Sequence, residues 1–234
     1  ADTINKDFNS TVITGTSVHS PQGIIVARVA KELGFKCVLV FGATTKEKIF
    51  DHPFVKKAYD LGNVEVDTEC GVGYNNALYA RVDKLCETTP MFSVGFGMHA
   101  GSDESPIVKT VASDAMHFPN GISTLVIPVG SGICAGAILS GLKKYARDAM
   151  PKRIVCVQIS GYDRTETINQ IAGPIDYEFV VDKTYPYTKT IDRSYGGIRF
   201  DPRYEAKAWE WMMRNKEQLG PNPMFWIIGN TYYV

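Results

Sequence analysis

Four short stretches of this sequence gather residues whose types and spacing can do chemistry. In "LVIPVGSGICAGAILSGLKKY" (125–145) an apolar run meets a Gly130-Ser131-Gly132 turn and then a helical stretch. That order lets backbone N–H groups converge on an anion at the positive end of a helix dipole. Glycine is needed there because a Cβ would block close approach of the backbone. No Gly-Lys-Ser/Thr follows, so the turn is not a Walker loop, and it is not the GxGxxG of a first βαβ unit. Taken alone, the turn reads equally as a plain strand–helix connection. In "GTSVHSPQGIIVARVAKELG" (15–34), Ser17, His19, Ser20 and Gln22 crowd a helix start, where they could bind a carboxylate. "FDPRYEAKAWEWM" (200–212) sets Tyr204 and Glu205 in the first turn of a helix, a dipole-favoured carboxylate beside an aromatic ring. "FWIIGNTYYV" (225–234) breaks at Gly229 into Asn230 and Thr231.

These stretches need elements to hold them. "STVIT" (10–14), "CVLVF" (37–41), "VEVD" (64–67), "FSVGF" (92–96), "TLVIPV" (124–129), "RIVCVQ" (153–158), "YEFVVD" (177–182) and "MFWII" (224–228) read as strands. Most are continuously apolar, as in parallel sheets covered by helices on both faces. Helices are expected over 21–33, 75–87, 135–147 and 202–216. In the first, Ser20 is the natural N-cap, Pro21 the first helical residue, Ile25, Val29 and Leu33 the apolar stripe, and Gly34 the stop. In the last, Ala208, Trp211 and Met212 are expected to face inward. The class is α/β, with two parallel-sheet domains over 10–110 and 111–234 and a cleft between them.

The bulk numbers narrow the function classes. With 25 Lys+Arg against 25 Asp+Glu, no net charge points to nucleic acid or an anionic membrane. No apolar run is long enough to span a bilayer. Cys37, Cys70, Cys86, Cys134 and Cys156 stand singly without a CxxC pair, so neither a disulfide framework nor a metal site is expected. "ADTINKDFNS" at the start lacks a signal-peptide pattern, and the expected compartment is the cytoplasm.

In order along the chain, the four stretches resemble the pyridoxal-phosphate (PLP) enzymes of the tryptophan-synthase-β fold (fold type II). The branch they look most like contains 1-aminocyclopropane-1-carboxylate (ACC) deaminase and D-cysteine desulfhydrase. "SVHSPQG" is similar to the family's substrate loop, "VGSGICAG" to its phosphate loop and "GIRFDPRYEAKAWEWM" to its Gly-Ile-x-x-Asp-Pro-x-Tyr-x-x-Lys segment. The resemblance implies that the backbone around Gly130, Ser131, Gly132, Ile133 and Cys134 holds the phosphate of pyridoxal 5'-phosphate. It places Glu205 at the pyridine nitrogen, Tyr204 against the ring, Thr231 among the cofactor contacts, and His19, Ser20 and Gln22 at the substrate carboxylate. Tyr187 and Tyr195 compete for the place of a second active-site tyrosine, with Tyr195 set beside Tyr204 and Glu205 among the catalytic residues. The family's Asn is Pro21 here, and its phosphate-loop Thr is Cys134, a weaker hydrogen-bond donor.

In the family the Schiff-base lysine lies further upstream than any residue of this chain. The expectation is that it belongs to an N-terminal segment absent from this chain, or that it is lost. The resemblance implies a homodimeric lyase or deaminase of amino-acid metabolism, working on an amino acid or amino-acid-like group through an aldimine and a ring-stabilised carbanion. Two other readings stand beside it: a degenerate PLP-fold binding protein, and a PLP enzyme acting on an amino-acid group attached to a modified nucleic-acid base. A nucleotide-binding Rossmann protein would account for the glycine turn but not for "DPRYEAK".

Overall fold

The computed structural model describes residues 11–42, 46–70, 75–95, 97, 105–159 and 161–229. They form two α/β units, one on each side of residues 98–104.

The first unit runs β1 (Thr11–Thr16), α1 (Gln22–Glu32), β2 (Lys36–Phe41), α2 (Lys46–Phe50), α3 (Pro53–Tyr59), β3 (Val64–Asp67), α4 (Asn75–Thr88) and β4 (Phe92–Ser93). Its sheet order is β3-β2-β1-β4, all parallel, with Thr11 opposite Lys36 and Ile13 opposite Ser93. Successive strand residues face opposite sides of a sheet. Val12, Leu39 and Phe41 therefore pack with Ile24, Ala27, Ile49 and Val55 on one face, and Ile13 and Val40 with Leu78 and Val82 on the other. Both faces being covered is why the strands read as continuous apolar runs.

α1 departs from the expected pattern. Val29 and Leu33 are about half exposed (49% and 50%), and the buried stripe is Gly23, Ile24, Val26, Ala27 and Ala30. The helix lies on the sheet through small residues: a Cβ at Gly23 would come within 3.3 Å of Thr16 Cγ2. A pattern weighted by large side chains points to the wrong face here. The helix also starts one residue later than expected, with Pro21 at the cap position and Ser20 Oγ accepting the Gln22 N–H at 3.2 Å.

The second unit runs α5 (Pro106–Ser113), β5 (Thr124–Val129), α6 (Ile133–Tyr145), β6 (Arg153–Gln158), α7 (Thr165–Ala172), β7 (Glu178–Val181), the β8–β9 hairpin (Ser194–Tyr195 and Ile198–Arg199), α8 (Glu205–Arg214) and β10 (Pro223–Phe225). Its sheet order is β10-β5-β6-β7, again all parallel. Leu125, Ile127 and Val129 pack with Ile138, Leu139 and Leu142 of α6, while Val126, Val155 and Val157 pack with Ala208 and Met212 of α8. Trp211 is half-buried against that second cluster. α6 crosses α5 at Gly141, where a Cβ would sit 2.3 Å from the Ala112 carbonyl oxygen.

Each of the eight expected strands has a counterpart, but β4 is trimmed to two residues, with Phe96 outside the described residues, and the last to three; the hairpin is additional. The architecture is α/β with parallel sheets. Among the described residues no helix is long and apolar enough to cross a membrane.

Candidate active site

β5 ends at Val129, and the chain turns through Gly130, Ser131 and Gly132 into α6. Gly132 has φ +91°, a left-handed conformation that favours glycine, and caps the helix. A Cβ there would also lie 3.2 Å from Arg164 Cβ and 3.3 Å from Thr167 Cβ. The first-turn N–H groups of a helix lack intrahelical partners; here that leaves those of Cys134 and Ala135, with Ile133 N only 3.5 Å from Ser131 Oγ. The Ile133 side chain is committed to the core with Val108, Ala137 and Ile171, so this residue offers its backbone to the turn. Burial pushes the Cys134 thiol up, which keeps it protonated and poorly nucleophilic.

The ring of Tyr204 packs against this turn. A Cβ at Gly130 would approach Tyr204 Cε1 to 3.3 Å. Tyr204 stands at the start of α8, fixed by Asp201, whose Oδ1 accepts the N–H groups of Arg203 and Tyr204 at 2.9 Å each. Its hydroxyl meets that of Tyr187 at 2.7 Å. Burial, with the Tyr187 hydroxyl next in weight, pushes the Tyr204 phenol far above the ordinary range, so it stays protonated.

Glu205 is 1% exposed. Its Oε1 accepts the N–H groups of Ile228 and Gly229 at 3.0 and 2.9 Å, and its Oε2 that of Asp201 at 3.1 Å. The carboxylate thus ties the start of α8 to the chain beyond β10. Burial raises its pKa, against the lowering effect of these three donors. A carboxylate has about four acceptor positions. Three are filled among the described residues, which leaves one on Oε2.

Tyr187 is held by two cations that composition and spacing did not single out. Its carbonyl accepts Arg203 Nη1 at 2.9 Å and Lys207 Nζ at 3.1 Å, and Lys207 also reaches the Pro186 carbonyl at 2.9 Å. Both cations flank its ring, 5.2 and 5.9 Å from the centroid. Burial, then the Arg203 charge, lowers the Lys207 pKa to about 8. The sequence signal was the six-residue Asp201–Lys207 spacing within one motif, read for Tyr204 and Glu205 alone. Tyr195 lies elsewhere, on β8, 67% exposed and packed on Trp209 at 5.0 Å. Thr231 falls outside the described residues.

In the first unit, His19, Ser20 and Gln22 share the approach to α1. The Gln22 amide is buried and fully engaged: Nε2 donates to Thr14 Oγ1 at 2.8 Å and to the Gly95 carbonyl at 2.9 Å, and Oε1 accepts the Gly97 N–H at 2.7 Å. It holds the loop after β4 against β1. His19 packs edge-on against His52 with ring centroids 4.6 Å apart. Thr16 Oγ1, at the end of β1, is buried without a partner among the described residues.

No protein-family profile matches the chain. Among curated proteins it is similar to the O-seryl-dTMP PLP-dependent decarboxylase of Salmonella phage ViI, 23% identical over 291 aligned positions covering 95% of this chain and 68% of that protein. The glycyl-dTMP PLP-dependent decarboxylase of Pseudomonas phage M6 is 27% identical over 226 positions, covering 90% of this chain and 79% of its own. Among solved structures, an ACC deaminase homologue superposes with a TM-score of 0.70 at 22% identity, over 94% of this chain and 73% of that one. A T.th. threonine deaminase gives 0.65 at 13% identity, over 97% and 79%. The fold is that of the tryptophan synthase β-like PLP enzymes.

Proposed function

We propose that this chain is a PLP-dependent enzyme that removes the carboxyl group from an amino acid carried on a nucleotide. One observation carries the cofactor reading. The Tyr204 ring packs against the glycine turn at the head of α6, and the next residue, Glu205, keeps an acceptor position unfilled among the described residues. The residues fit the group. Side chains at Gly130 and Gly132 would press on Tyr204, Arg164 and Thr167, so the turn stays bare backbone, and first-turn N–H groups of α6 suit a phosphate. The nucleotide part of the reading is supported by the two curated relatives, whose names specify seryl- and glycyl-dTMP.

PLP, when bound, supplies an electron sink for a bond broken at the substrate α-carbon. The described residues would contribute binding and proton transfer. The α6 N-terminus would hold the phosphate, and the position left on Glu205 Oε2 would accept a hydrogen bond from the protonated ring nitrogen and keep its proton in place. Tyr204, kept protonated by burial, is the acid for the α-carbon, and Tyr187 orients its hydroxyl. Lys207 plays no covalent part, because its Nζ is committed to the carbonyls of Pro186 and Tyr187.

A deaminase of free amino acids is the second reading, favoured by the likeness to the ACC deaminase homologue. Titrating the protein with PLP and then supplying seryl-dTMP, glycyl-dTMP and free amino acids separates the two. The expected result is a cofactor absorbance band and carbon dioxide released from the nucleotide-linked substrates. Ammonia from free amino acids would favour the second reading, and a protein that stays colourless with PLP would overturn both.

A further inference from the structure

Arg164 takes no part in the chemistry above, yet it lies against the glycine turn. It sits between β6 and α7, and a Cβ at Gly132 would come within 3.2 Å of its Cβ and 3.4 Å of its carbonyl oxygen. Its Nε is buried and has no hydrogen-bond partner among the described residues. The neighbouring carboxylates are turned to other donors. Asp163 Oδ1 accepts the N–H and hydroxyl of Thr165 at 2.8 and 2.7 Å, and Glu166 Oε1 accepts Gln170 Nε2 at 3.5 Å. The guanidinium instead lies 5.4 Å from the centroid of the Tyr162 ring, which is 61% exposed. Both this turn and the glycine turn are at the carboxyl ends of parallel strands, where open α/β sheets bind their ligands.

Arg164 Nε is closed to solvent, but the residue as a whole is only half-buried, so an anion would be met by the terminal N–H groups of its guanidinium, as a charge-assisted pair. An exposed ring beside it offers a flat apolar face. Phosphate next to a planar heterocycle is the chemistry of a nucleotide. The cofactor's phosphate already has the α6 N–H groups and needs no second platform.

We propose that Tyr162 and Arg164 recognise the nucleotide portion of the substrate, Tyr162 stacking on the pyrimidine and Arg164 binding the phosphate. This rests on the reading of the substrate as an aminoacylated nucleotide. The probes are dTMP and thymidine, titrated calorimetrically against the whole chain, with PLP binding followed separately by absorbance.

The wild type is expected to bind dTMP at least about tenfold more tightly than thymidine, as loss of a charge-assisted hydrogen bond implies. Arg164→Gln should reduce dTMP binding to the thymidine level, Arg164→Lys should keep part of it, and Tyr162→Ala should weaken both ligands. PLP affinity should be unchanged in all three. If the wild type binds dTMP and the variants bind it equally well, the proposal is overturned and the nucleotide reading stands. If the wild type does not bind dTMP, both are overturned. Loss of PLP affinity in Arg164→Gln would assign the arginine to the cofactor's phosphate and overturn the proposal.

Discussion

Glu205 serves the fold with three of its acceptor positions, and in the proposed reaction the fourth takes the cofactor's ring nitrogen. Burial keeps the Tyr204 phenol beside it protonated near neutral pH, and in the proposed reaction this hydroxyl is the proton donor to the α-carbon. Tyr204→Phe is expected to lower turnover by about 10²- to 10⁴-fold, as loss of a general acid does. Tyr187→Phe removes only the orienting hydroxyl, and a smaller loss in single-turnover rate with little change in melting temperature would support that role. Lys207 gives a pH signature. Its folded value of about 8 lies below the usual 10.5, so the unfolded chain holds that proton over a range where the folded chain has released it. Stability from this group therefore rises with pH between about 8 and 10.5. The stability of the wild type relative to Lys207→Met, measured by urea midpoints, should increase across that window. A constant difference would show that Lys207 is not depressed. Residue types and spacing made Tyr204 and Glu205 legible in the sequence. The choice of Tyr187 over Tyr195 as the partner was not, because it depends on where a long irregular segment is tied down.

Among the elements, strands were far easier to read than helix faces. A strand buried on both sides is apolar throughout, so "TLVIPV" and "RIVCVQ" announce themselves. A helix seated through Gly and Ala hides its inner face, as α1 does with Gly23, Ala27 and Ala30. The same economy of size governs the crossing of α5 and α6. Gly141→Ala would drive a methyl into the Ala112 backbone at 2.3 Å, and the helices would have to part. Overpacking of this kind costs about 1–3 kcal/mol, read as a lower urea midpoint. Gly161→Ala, with nothing within 4 Å, is the control and should change stability by less than about 0.5 kcal/mol. Equal effects at the two positions would refute the close crossing.

Across the molecule, two parallel sheets each have their own core, with Leu39 in one and Leu142 in the other. Leu39→Ala and Leu142→Ala should each destabilise by about 2–5 kcal/mol. The double variant should match their sum within about 0.5 kcal/mol, since sites without shared partners add. A larger departure in chemical denaturation would mean that the two cores are coupled. The α/β class, the strand positions and the glycine turn were already set out in the order of residues, because they follow from local pattern: apolar continuity, turn residues and a helix start. What the polar groups do was a matter for the tertiary fold. The Gln22 amide, which in sequence looked free for a substrate, is taken up by backbone groups 73 and 75 residues away. Glu205 is bound by N–H groups 23 and 24 residues further on. A buried polar atom must find a partner wherever the fold supplies one, and chain topology, not neighbouring sequence, fixes which partner that is.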